Sequence, residues 1–362
     1  MVLLRHRPPG DIATVLGGQP YRRPQRDRVD NVICWAIKHR CRLLLVYLAA
    51  LFVTIIVLAP GRLSQTPNHY LAILNSSGYI LLPRKGCGDA GPFVVILVSV
   101  SPEQRQARGV IRSTWAGVTR ASHRLIKTVF LLGDGHDQKI QAALAIEHAA
   151  FDDLVQKDFF DSYLNLTLKT LMGFQWVSEH CPRAEYIMKT DSDVFVNVWR
   201  LVHLLLAAAD LPVPLYTGKI RTADKPIRNP SNKYSISWAE YPEKVFPPYC
   251  PGWSYILSTD LVPALLAVVP TLPPLKLEDV FVGLCLEHLG IKPMSLGQLG
   301  TFLEHMVQNI CLYRSVVASH GLRPDIMHAV WTAIHRSGRR RCSFKTHLGQ
   351  WRREREDTKE FG

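Results

Sequence analysis

The apolar residues of this chain form one long uninterrupted run near the N-terminus and a series of short runs after residue 92. The long run, residues 43–59, reads LLLVYLAALFVTIIVLA and carries no charge, which is enough for a helix that spans a thin bilayer. Basic residues directly precede it, and the positive-inside rule therefore places the N-terminus in the cytosol. We predict a type II signal anchor at 43–59 behind a cytosolic tail of residues 1–42. The alternatives are a cleaved signal peptide, whose basic leader would be unusually long here, and a buried core helix.

After residue 92, short β-rich runs alternate with stretches of helical periodicity. This alternation is typical of an α/β domain with a mostly parallel sheet flanked by helices. Neither a Gly-x-Gly-x-x-Gly sequence nor a Walker-type loop is present, so the sequence does not support a dinucleotide or P-loop site. The predicted strands cover 93–98, 128–132, 154–155 and the run that starts at 186, and the predicted helices cover 103–114, 140–150 and the apolar repeat at Leu164, Leu168 and Leu171.

The run that starts at Tyr186 ends in two aspartates separated by one serine, Asp191 and Asp193. On an extended backbone, residues two apart project to the same side. Two neighbouring carboxylates without a cation would repel each other and raise each other's pKa. Parallel sheets bind ligands beyond the carboxyl ends of their strands. We therefore predict that Asp191 and Asp193 hold one divalent cation together with a phosphate-bearing ligand.

The net charge of +13 over 362 residues is concentrated at the two ends of the chain. Residues 1–42 carry a balance of +6 and residues 335–362 a balance of +5, which leaves about +2 for the body between them. A groove that follows a phosphate backbone needs basic residues clustered on the folded domain, so we expect no nucleic-acid binding. We predict a stem at 60–90, a globular domain at 91–342 across the membrane and a charged tail at 343–362.

Two sequons and the cysteine count agree with a domain outside the cytosol. Asn75 and Asn165 each begin an Asn-x-Ser/Thr sequence and are predicted N-glycosylation sites. Six cysteines follow the apolar run, an even number that suits an oxidising compartment, and they allow fifteen pairings among which the sequence does not choose. These are Cys87, Cys181, Cys250, Cys285, Cys311 and Cys342.

The second half of the domain combines aromatic residues with two adjacent carboxylates. Aromatic faces are suitable platforms for the apolar C–H faces of sugar rings, and core packing is the alternative for each of them. Trp253, in the aromatic run from 246 to 255, is the candidate that we single out. Glu278 and Asp279 lie between apolar runs, and such carboxylates are either paired structurally or held for proton transfer.

Several ordered motifs at compatible spacings resemble the animal β-1,3-galactosyltransferases, which belong to the wider β-1,3-glycosyltransferase family 31. The resemblance covers about residues 93–342 and implies a Golgi type II membrane glycoprotein whose domain has a GT-A fold. It rests on Arg108-Gly-Val-Ile-Arg112-Ser-Thr-Trp115, Phe130-Leu-Leu-Gly133, Lys157-Asp-Phe159 with Asp161-Ser-Tyr-Leu-Asn-Leu-Thr-Leu-Lys169-Thr170, Lys189-Thr-Asp-Ser-Asp193 and Glu278-Asp-Val-Phe-Val-Gly283.

The resemblance also implies roles for the metal and donor residues. Asp191 and Asp193 would hold Mn²⁺ on the diphosphate of UDP-galactose, and His320 would complete the metal site. Arg112 and Lys189 would contact the phosphates or the nucleotide of the donor, and ion pairing with a nearby carboxylate is the alternative for both. The Thr-Asp-Ser-Asp form of the aspartate motif resembles the galactosyl branch more than the N-acetylglucosaminyl branch.

On the acceptor side, the resemblance implies that Asp279 is the catalytic base of an inverting transfer to the 3-hydroxyl of an N-acetylhexosamine on a glycoprotein or glycolipid. Trp253 and Glu278 are the expected acceptor contacts. The chain departs from the family at Cys250-Pro251-Gly252, where Cys-Ser-Gly is usual, so the identity of the acceptor stays open. The alternative functions are transfer of N-acetylglucosamine and an inactive sugar-binding or chaperone protein of the same fold.

Overall fold

A computed structural model of the chain describes residue 40 and residues 69–76, 78–211, 214–297 and 302–336. From residue 69 onward these residues belong to one compact unit. Within the described part of the chain, no helix is long and apolar enough to cross a membrane. The predicted anchor at 43–59, the predicted tail at 343–362 and Cys342 lie outside the described residues.

A mixed sheet forms the centre of the unit, and a small three-stranded sheet lies beside it. The strands of the described residues are β1 (Tyr79–Leu81), β2 (Val94–Ser99), β3 (Arg120–Ala121), β4 (Arg124–Asp134), β5 (Leu154–Phe160), β6 (Tyr186–Asp191), β7 (Phe195–Val196), β8 (Tyr216–Gly218), β9 (Ser254–Ser258), β10 (Phe302–Leu303) and β11 (Ala318–Ser319).

The central sheet has the order β1-β5-β4-β2-β6-β9-β8, with β3 paired to β4. The middle strands β5, β4, β2 and β6 are parallel to one another. Strand β1 pairs with β5, β9 with β6 and β8 with β9, each in the antiparallel direction. The sheet is therefore mixed, and the expectation of a mostly parallel sheet was wrong at its edges. Strands β8 and β9 are short and lie in the half of the domain that is rich in proline and aromatic residues, where no strand pattern was recognised.

Helices cover both faces of the central sheet. The described helices are α1 (His69–Ser76), α2 (Arg105–Ser113), α3 (Gln138–Phe151), α4 (Leu166–His180), α5 (Val198–Ala208), α6 (Leu261–Val268), α7 (Glu278–His288) and α8 (Pro324–Arg336). The strands and helices predicted between 93 and 191 are confirmed, with ends that differ by a few residues.

Strand β2 shows how one sequence run builds two cores. All six of its residues are buried, and successive side chains point to opposite faces of the sheet. Val95 and Leu97 join the core that contains α4, α6 and α7, while Val94 and Ile96 join the core that contains α2, α5 and α8. Each fully buried aliphatic side chain stabilises the fold by roughly 1.5–3 kcal/mol. The α/β architecture with helices on both faces is therefore confirmed.

Part of the predicted stem belongs to the folded unit. Tyr70 and Leu74, four residues apart on one face of α1, are buried in the core, and β1 pairs with β5. Cys87 forms a disulfide with Cys181. The folded unit thus begins before residue 91, and α1 was missed because an eight-residue helix shows too little periodicity.

Buried polar contacts join the carboxyl ends of β2, β4 and β5. The Lys169 ammonium donates to the carbonyl oxygen of Val100 at 2.9 Å and to the Asp161 carboxylate at 2.8 Å. Asp161 also accepts a hydrogen bond of 2.7 Å from the backbone N–H of Gly133. A Cβ atom on Gly133 would lie 2.7 Å from the carbonyl oxygen of Phe159, so only glycine fits. These contacts fix the edge of the sheet that carries the candidate site.

Candidate active site

A cavity of about 710 Å³ opens beside the end of β6 and the start of α7. Six of the residues singled out from the sequence line it, although they come from four separate segments of the chain. The structure therefore brings together residues that are far apart in sequence. They are Lys189, Asp191, Trp253, Glu278, Asp279 and His320.

The two aspartates of the Asp-Ser-Asp motif have different partners. Strand β6 ends at Asp191, and Asp193 lies in the turn that follows. The Asp191 carboxylate lies 2.8 Å from the Lys189 ammonium, and the Asp193 carboxylate lies 3.3 Å from Nε2 of His320. The expectation that both project from one side of an extended strand was wrong, because the strand ends two residues before Asp193.

The side chain of His320 has the surroundings of a metal-binding imidazole. Its Nδ1 lies 3.1 Å from the carbonyl oxygen of Glu304, and a proton on Nδ1 leaves the Nε2 lone pair facing Asp193. Histidines that bind metals commonly make such a bond through the second ring nitrogen. Carboxylate oxygen and imidazole nitrogen are both suitable ligands for Mn²⁺, so the side chains present fit the ion.

This arrangement of His320 with the aspartates is not a closed ligand shell. Within the described residues, no group of three or more His, Cys, Asp or Glu side chains is arranged to hold a metal ion. Asp191 and Asp193 are both partly exposed, at 36% and 49% of their side-chain surface. The hydrogen bond with Asp193, which outweighs the opposite effect of burial, raises the pKa of His320. The contact between His320 and Asp193 thus favours the protonated imidazole in the cation-free protein.

Lys189 is a buried cation between two carboxylates. Its ammonium contacts the Asp191 carboxylate at 2.8 Å and the Glu278 carboxylate at 3.3 Å, and it donates to the carbonyl oxygen of Gly252. Burial lowers the pKa of Lys189, but the charges of the two carboxylates outweigh it, so the pKa lies above its usual value. An ammonium has three protons to donate, and three acceptors surround this one. The contacts are those of the ion-pairing alternative, and the predicted contact of Lys189 with the donor stays a prediction.

Glu278 lies at the floor of the cavity and is almost fully buried. Its Oε1 accepts a hydrogen bond of 2.5 Å from the Tyr255 hydroxyl, and its Oε2 faces Lys189. Burial raises the pKa of Glu278 to about 7, against the opposing charge of Lys189. Both carboxylate oxygens thus have protein partners. Its predicted role as an acceptor contact stays a prediction, and the geometry favours support of Lys189.

Asp279 is held by backbone N–H groups at the start of α7. Oδ2 accepts from Gly252 at 2.9 Å, and Oδ1 accepts from Val280 at 2.9 Å. Burial raises the pKa of Asp279, and it outweighs the hydrogen bonds, which lower it. A carboxylate with a raised pKa is a stronger base. The side chain lines the cavity, so the geometry suits the base role predicted for it.

Trp253 forms a wall of the cavity and supports His320. Its ring stacks on the imidazole with centroids 5.6 Å apart and planes at 21°. Only 7% of Trp253 is exposed, and its carbonyl oxygen accepts from the backbone N–H of Asp191. The residue thus orients two predicted metal ligands, while its predicted contact with the acceptor stays a prediction.

Arg112 lies outside this cavity. Its guanidinium pairs with Asp153 and Glu147, both at 2.7 Å, and lies over the rings of Phe130 and Phe151. The contacts are those of the ion-pairing alternative, and a direct contact with the donor is not supported. The sequence could not decide this, because both carboxylates lie some forty residues away, on and after α3.

The two predicted glycosylation sites differ in their surroundings. Asn75 is exposed near the end of α1. Asn165 is partly buried, and its side-chain amide donates a hydrogen bond of 2.8 Å to the carbonyl oxygen of Phe160. The hydroxyl of Thr167, which completes the second sequon, is buried against Leu275. Asn75 is therefore the more accessible of the two.

Several residues of the cavity were not predicted as site residues. Tyr163 lies within the recognised motif that starts at Asp161, and this motif could have indicated Tyr163 as a site residue. Tyr234, Arg221 and Glu304 offered none, because their place in the cavity depends on long loops that only the fold brings together. Arg221 pairs with Glu304 across the cavity wall.

The amino-acid sequence of the chain is similar to those of sugar-transferring enzymes. Residues 106–297 match the family model of the galactosyltransferases. The chain is 40% identical over 265 residues to β-1,3-galactosyltransferase 5 of Mus musculus, covering 73% of this chain and 86% of that protein. It is 38% identical over 265 residues to UDP-GalNAc:β-1,3-N-acetylgalactosaminyltransferase 1 of Rattus norvegicus, covering 72% and 79%. Among solved structures, a glycosyltransferase involved in the glycosylation of the major capsid of PBCV-1 gives a TM-score of 0.36 at 12% identity, over 67% of this chain and 99% of that one.

Proposed function

Since this chain belongs to the galactosyltransferase family, we propose that it is an inverting β-1,3-galactosyltransferase. In this proposal it moves galactose from UDP-galactose to the 3-hydroxyl of an N-acetylhexosamine on a glycoprotein or glycolipid. The apolar run at 43–59 and the basic residues before it support a single-pass type II protein of the Golgi membrane, with the domain in the lumen.

The observation that carries the proposal is the short chain of contacts between Asp279 and Asp191. The N–H of Gly252 binds Asp279 at 2.9 Å, the carbonyl of the same residue accepts from Lys189, and Lys189 contacts Asp191 at 2.8 Å. A carboxylate for the acceptor and a carboxylate for the donor therefore line one cavity, within the span of one sugar nucleotide and its acceptor.

The proposed reaction is a single displacement. The 3-hydroxyl of the acceptor gives its proton to the Asp279 carboxylate as its oxygen attacks the anomeric carbon on the face opposite UDP. The bond from that carbon to the UDP oxygen breaks, and the α-linked donor becomes a β-linked product, as in inverting hydrolysis. The raised pKa of Asp279 strengthens the base, and the reaction needs no covalent nucleophile.

Asp191, Asp193 and His320 would hold the divalent cation, with Mn²⁺ as the proposed ion. A bound cation would stabilise the negative charge that develops on the departing diphosphate. Lys189 holds the Asp191 carboxylate in place through a contact of 2.8 Å. Trp253 and Glu304 fix the plane and the ring nitrogen of His320. These three supporting residues, Lys189, Trp253 and Glu304, would therefore position the predicted cation ligands before the donor arrives.

A second candidate is transfer of N-acetylgalactosamine, because a relative named for that donor is nearly as similar to this chain as the galactosyltransferase. The two donors differ only at the 2-position of the sugar. Transfer of N-acetylglucosamine and an inactive binding protein are the further alternatives that the sequence left open.

The test is a donor panel on the full-length protein. UDP-galactose, UDP-N-acetylgalactosamine and UDP-N-acetylglucosamine would each be offered with N-acetylhexosamine glycosides, with added Mn²⁺ or with a chelator, and the linkage of the product read by NMR. We expect a β-1,3-galactoside in the presence of Mn²⁺ and its loss in Asp193→Ala. A preference for another donor would identify the second candidate or the N-acetylglucosaminyl alternative, and no transfer from any donor would favour the binding protein.

A further inference from the structure

Most aromatic residues that line the cavity are already committed to the fold. Phe246 and Trp253 are buried, and Trp253 stacks on His320. Tyr249 is partly buried, and its hydroxyl donates to Asp224 at 3.0 Å. None of these three side chains has a free ring face of any size for a ligand.

Tyr163 and Tyr234 are different, and we name them the tyrosine pair. Both line the cavity, yet 38% and 44% of their surfaces are exposed. Neither hydroxyl has a hydrogen-bond partner within the part of the chain that the structure describes. Large aromatic surfaces left in water beside a reaction site are available for a ligand.

The tyrosine pair is held in a fixed arrangement before any ligand binds. The ring centroids are 6.0 Å apart at an angle of 74°, an edge-to-face contact. The Lys233 ammonium lies 4.7 Å from the centroid of Tyr234 and 5.5 Å from that of Tyr163, which adds cation–π attraction to both rings. A surface that is ordered in advance loses less entropy on binding.

The position of Tyr163 links the tyrosine pair to the proposed base. Burial raises the pKa of Tyr163, and the phenol of Tyr234 and the charge of Asp279 raise it further. The charges of Asp191 and Glu278 raise it too, so the ring lies within electrostatic reach of the proposed base and of the carboxylates beside it. Asp193 and His320 pair with each other and Asp191 pairs with Lys189, so the predicted metal ligands are engaged without either tyrosine ring. The ring faces of the tyrosine pair are therefore left for a ligand other than the cation.

We propose that Tyr163 and Tyr234 form the platform on which the acceptor sugar lies while its 3-hydroxyl faces Asp279. The pyranose ring of an N-acetylhexosamine has an apolar C–H face that packs on aromatic rings, and the phenol hydroxyls offer donors to its polar edge. These two residues would thereby set acceptor affinity. This inference rests on the proposed function and adds two specificity-determining residues to it.

The experiment compares the full-length Tyr163→Ala and Tyr234→Ala variants with wild type. With UDP-galactose and an N-acetylhexosamine glycoside, we expect the acceptor KM to rise about tenfold, as for loss of one aromatic contact. The KM for UDP-galactose and its acceptor-independent hydrolysis should stay at the wild-type level. Matched controls are Leu164→Ala and Trp238→Ala, whose side chains are more exposed than the tyrosines and lie outside the cavity lining.

Two further variants make the outcome decisive. Tyr163→Phe keeps the ring and should keep the acceptor KM within about twofold of wild type. Tyr163→Leu keeps an apolar side chain without the flat ring face, and it replaces Tyr163→Ala in the test of the acceptor KM if alanine disturbs folding. The inference is overturned if the tyrosine variants behave as the controls do, if donor hydrolysis falls in the same proportion, or if phenylalanine is as harmful as alanine. A wild-type protein without transfer would instead overturn the proposed function.

Discussion

The Lys189 ammonium lies 2.8 Å from the Asp191 carboxylate, although it is itself almost completely buried. On its other side it faces Glu278, which is also buried. The Lys189 ammonium thus compensates the charges of two carboxylates, Asp191 at the predicted donor side and Glu278 at the floor of the cavity. Since a buried charge without a partner is costly, the stability of the site depends on this lysine.

We predict that Lys189→Met lowers the free energy of unfolding by about 3 kcal/mol, because it leaves the buried Glu278 without its cation. The double variant Lys189→Met with Glu278→Gln should recover part of this loss, since no buried charge is then unpaired. Urea denaturation of the four proteins in this cycle measures the coupling. Arg323→Met, which breaks an exposed ion pair with Asp325, is the control and should leave the stability unchanged. A Lys189→Met protein as stable as wild type would refute the account.

Asp279→Asn should lower kcat by about 10²- to 10⁴-fold, the contribution of a general base. The amide oxygen can still accept from one of the two N–H groups, that of Gly252 or that of Val280, and the other loses its acceptor. The donor-side residues Asp191, Asp193 and His320 are unchanged. The Kd for UDP-galactose should therefore stay at the wild-type value, and calorimetric titration of the donor is the control. A variant whose kcat falls by less than about tenfold would assign the base role to another group.

The pH dependence of metal binding follows from His320. The hydrogen bond with Asp193 raises the pKa of His320. The charged pair of His320 and Asp193 therefore stabilises the cation-free fold at low pH. This contribution is lost as the pH rises through the raised pKa of His320. Metal binding needs the neutral imidazole. We expect Mn²⁺ affinity to increase as pH rises through that range, by up to about tenfold per pH unit. Titration of the donor-free protein with Mn²⁺ at a series of pH values measures it, and His320→Asn should flatten the curve. The same slope in both proteins would exclude His320 as a ligand.

Gly252 lies where no side chain fits. A Cβ atom there would lie 2.6 Å from Oε2 of Glu278, so Gly252→Ala must move the residues that bind Lys189 and Asp279. We predict a loss of about 1–3 kcal/mol in the free energy of unfolding, as for an overpacked site, and a fall in kcat with it. Gly109→Ala is the matched control, because its Cβ meets nothing within 4 Å on helix α2, and alanine is there favoured by about 0.5–1 kcal/mol. If the two substitutions have equal effects, crowding at Gly252 is excluded.

Local sequence patterns were sufficient for the parts of the fold that rest on local physics. The apolar run of β6 and the periodicity of α4 predicted those elements, because burial of a strand or of one helix face leaves a repeat in the sequence. Asp191, Asp279 and His320 could be placed in one site because they lie in motifs that resemble a family. The edge strand β8 and its neighbour β9 left no such pattern.

Contacts between distant segments could not be predicted in the same way. Arg112 was expected at the donor, but the carboxylates that bind it lie far along the chain. Asp193 was expected on the face of a strand, but β6 ends at Asp191. The tyrosine pair joins the segment before α4 to a loop after β8. Contacts between distant segments leave no periodic pattern in the sequence from which they could be predicted.

The disulfide between Cys87 and Cys181 ties the segment after β1 to the end of α4, across 94 residues of chain. Closing a loop of that length restricts the unfolded chain strongly, so Cys87→Ala should lower the free energy of unfolding by about 2–5 kcal/mol. Cys285→Ala is the control, because Cys285 is buried without a disulfide and loses only the packing of one sulfur atom. Peptide mapping without reductant should recover Cys87 linked to Cys181, while Cys250 and Cys285 should react with alkylating agents only after unfolding, since burial raises the pKa of each thiol to about 12. A Cys87→Ala protein no less stable than the Cys285→Ala protein would contradict the inclusion of the segment before residue 91 in the folded unit. A linkage between Cys250 and Cys285 would contradict the assignment of both as free thiols.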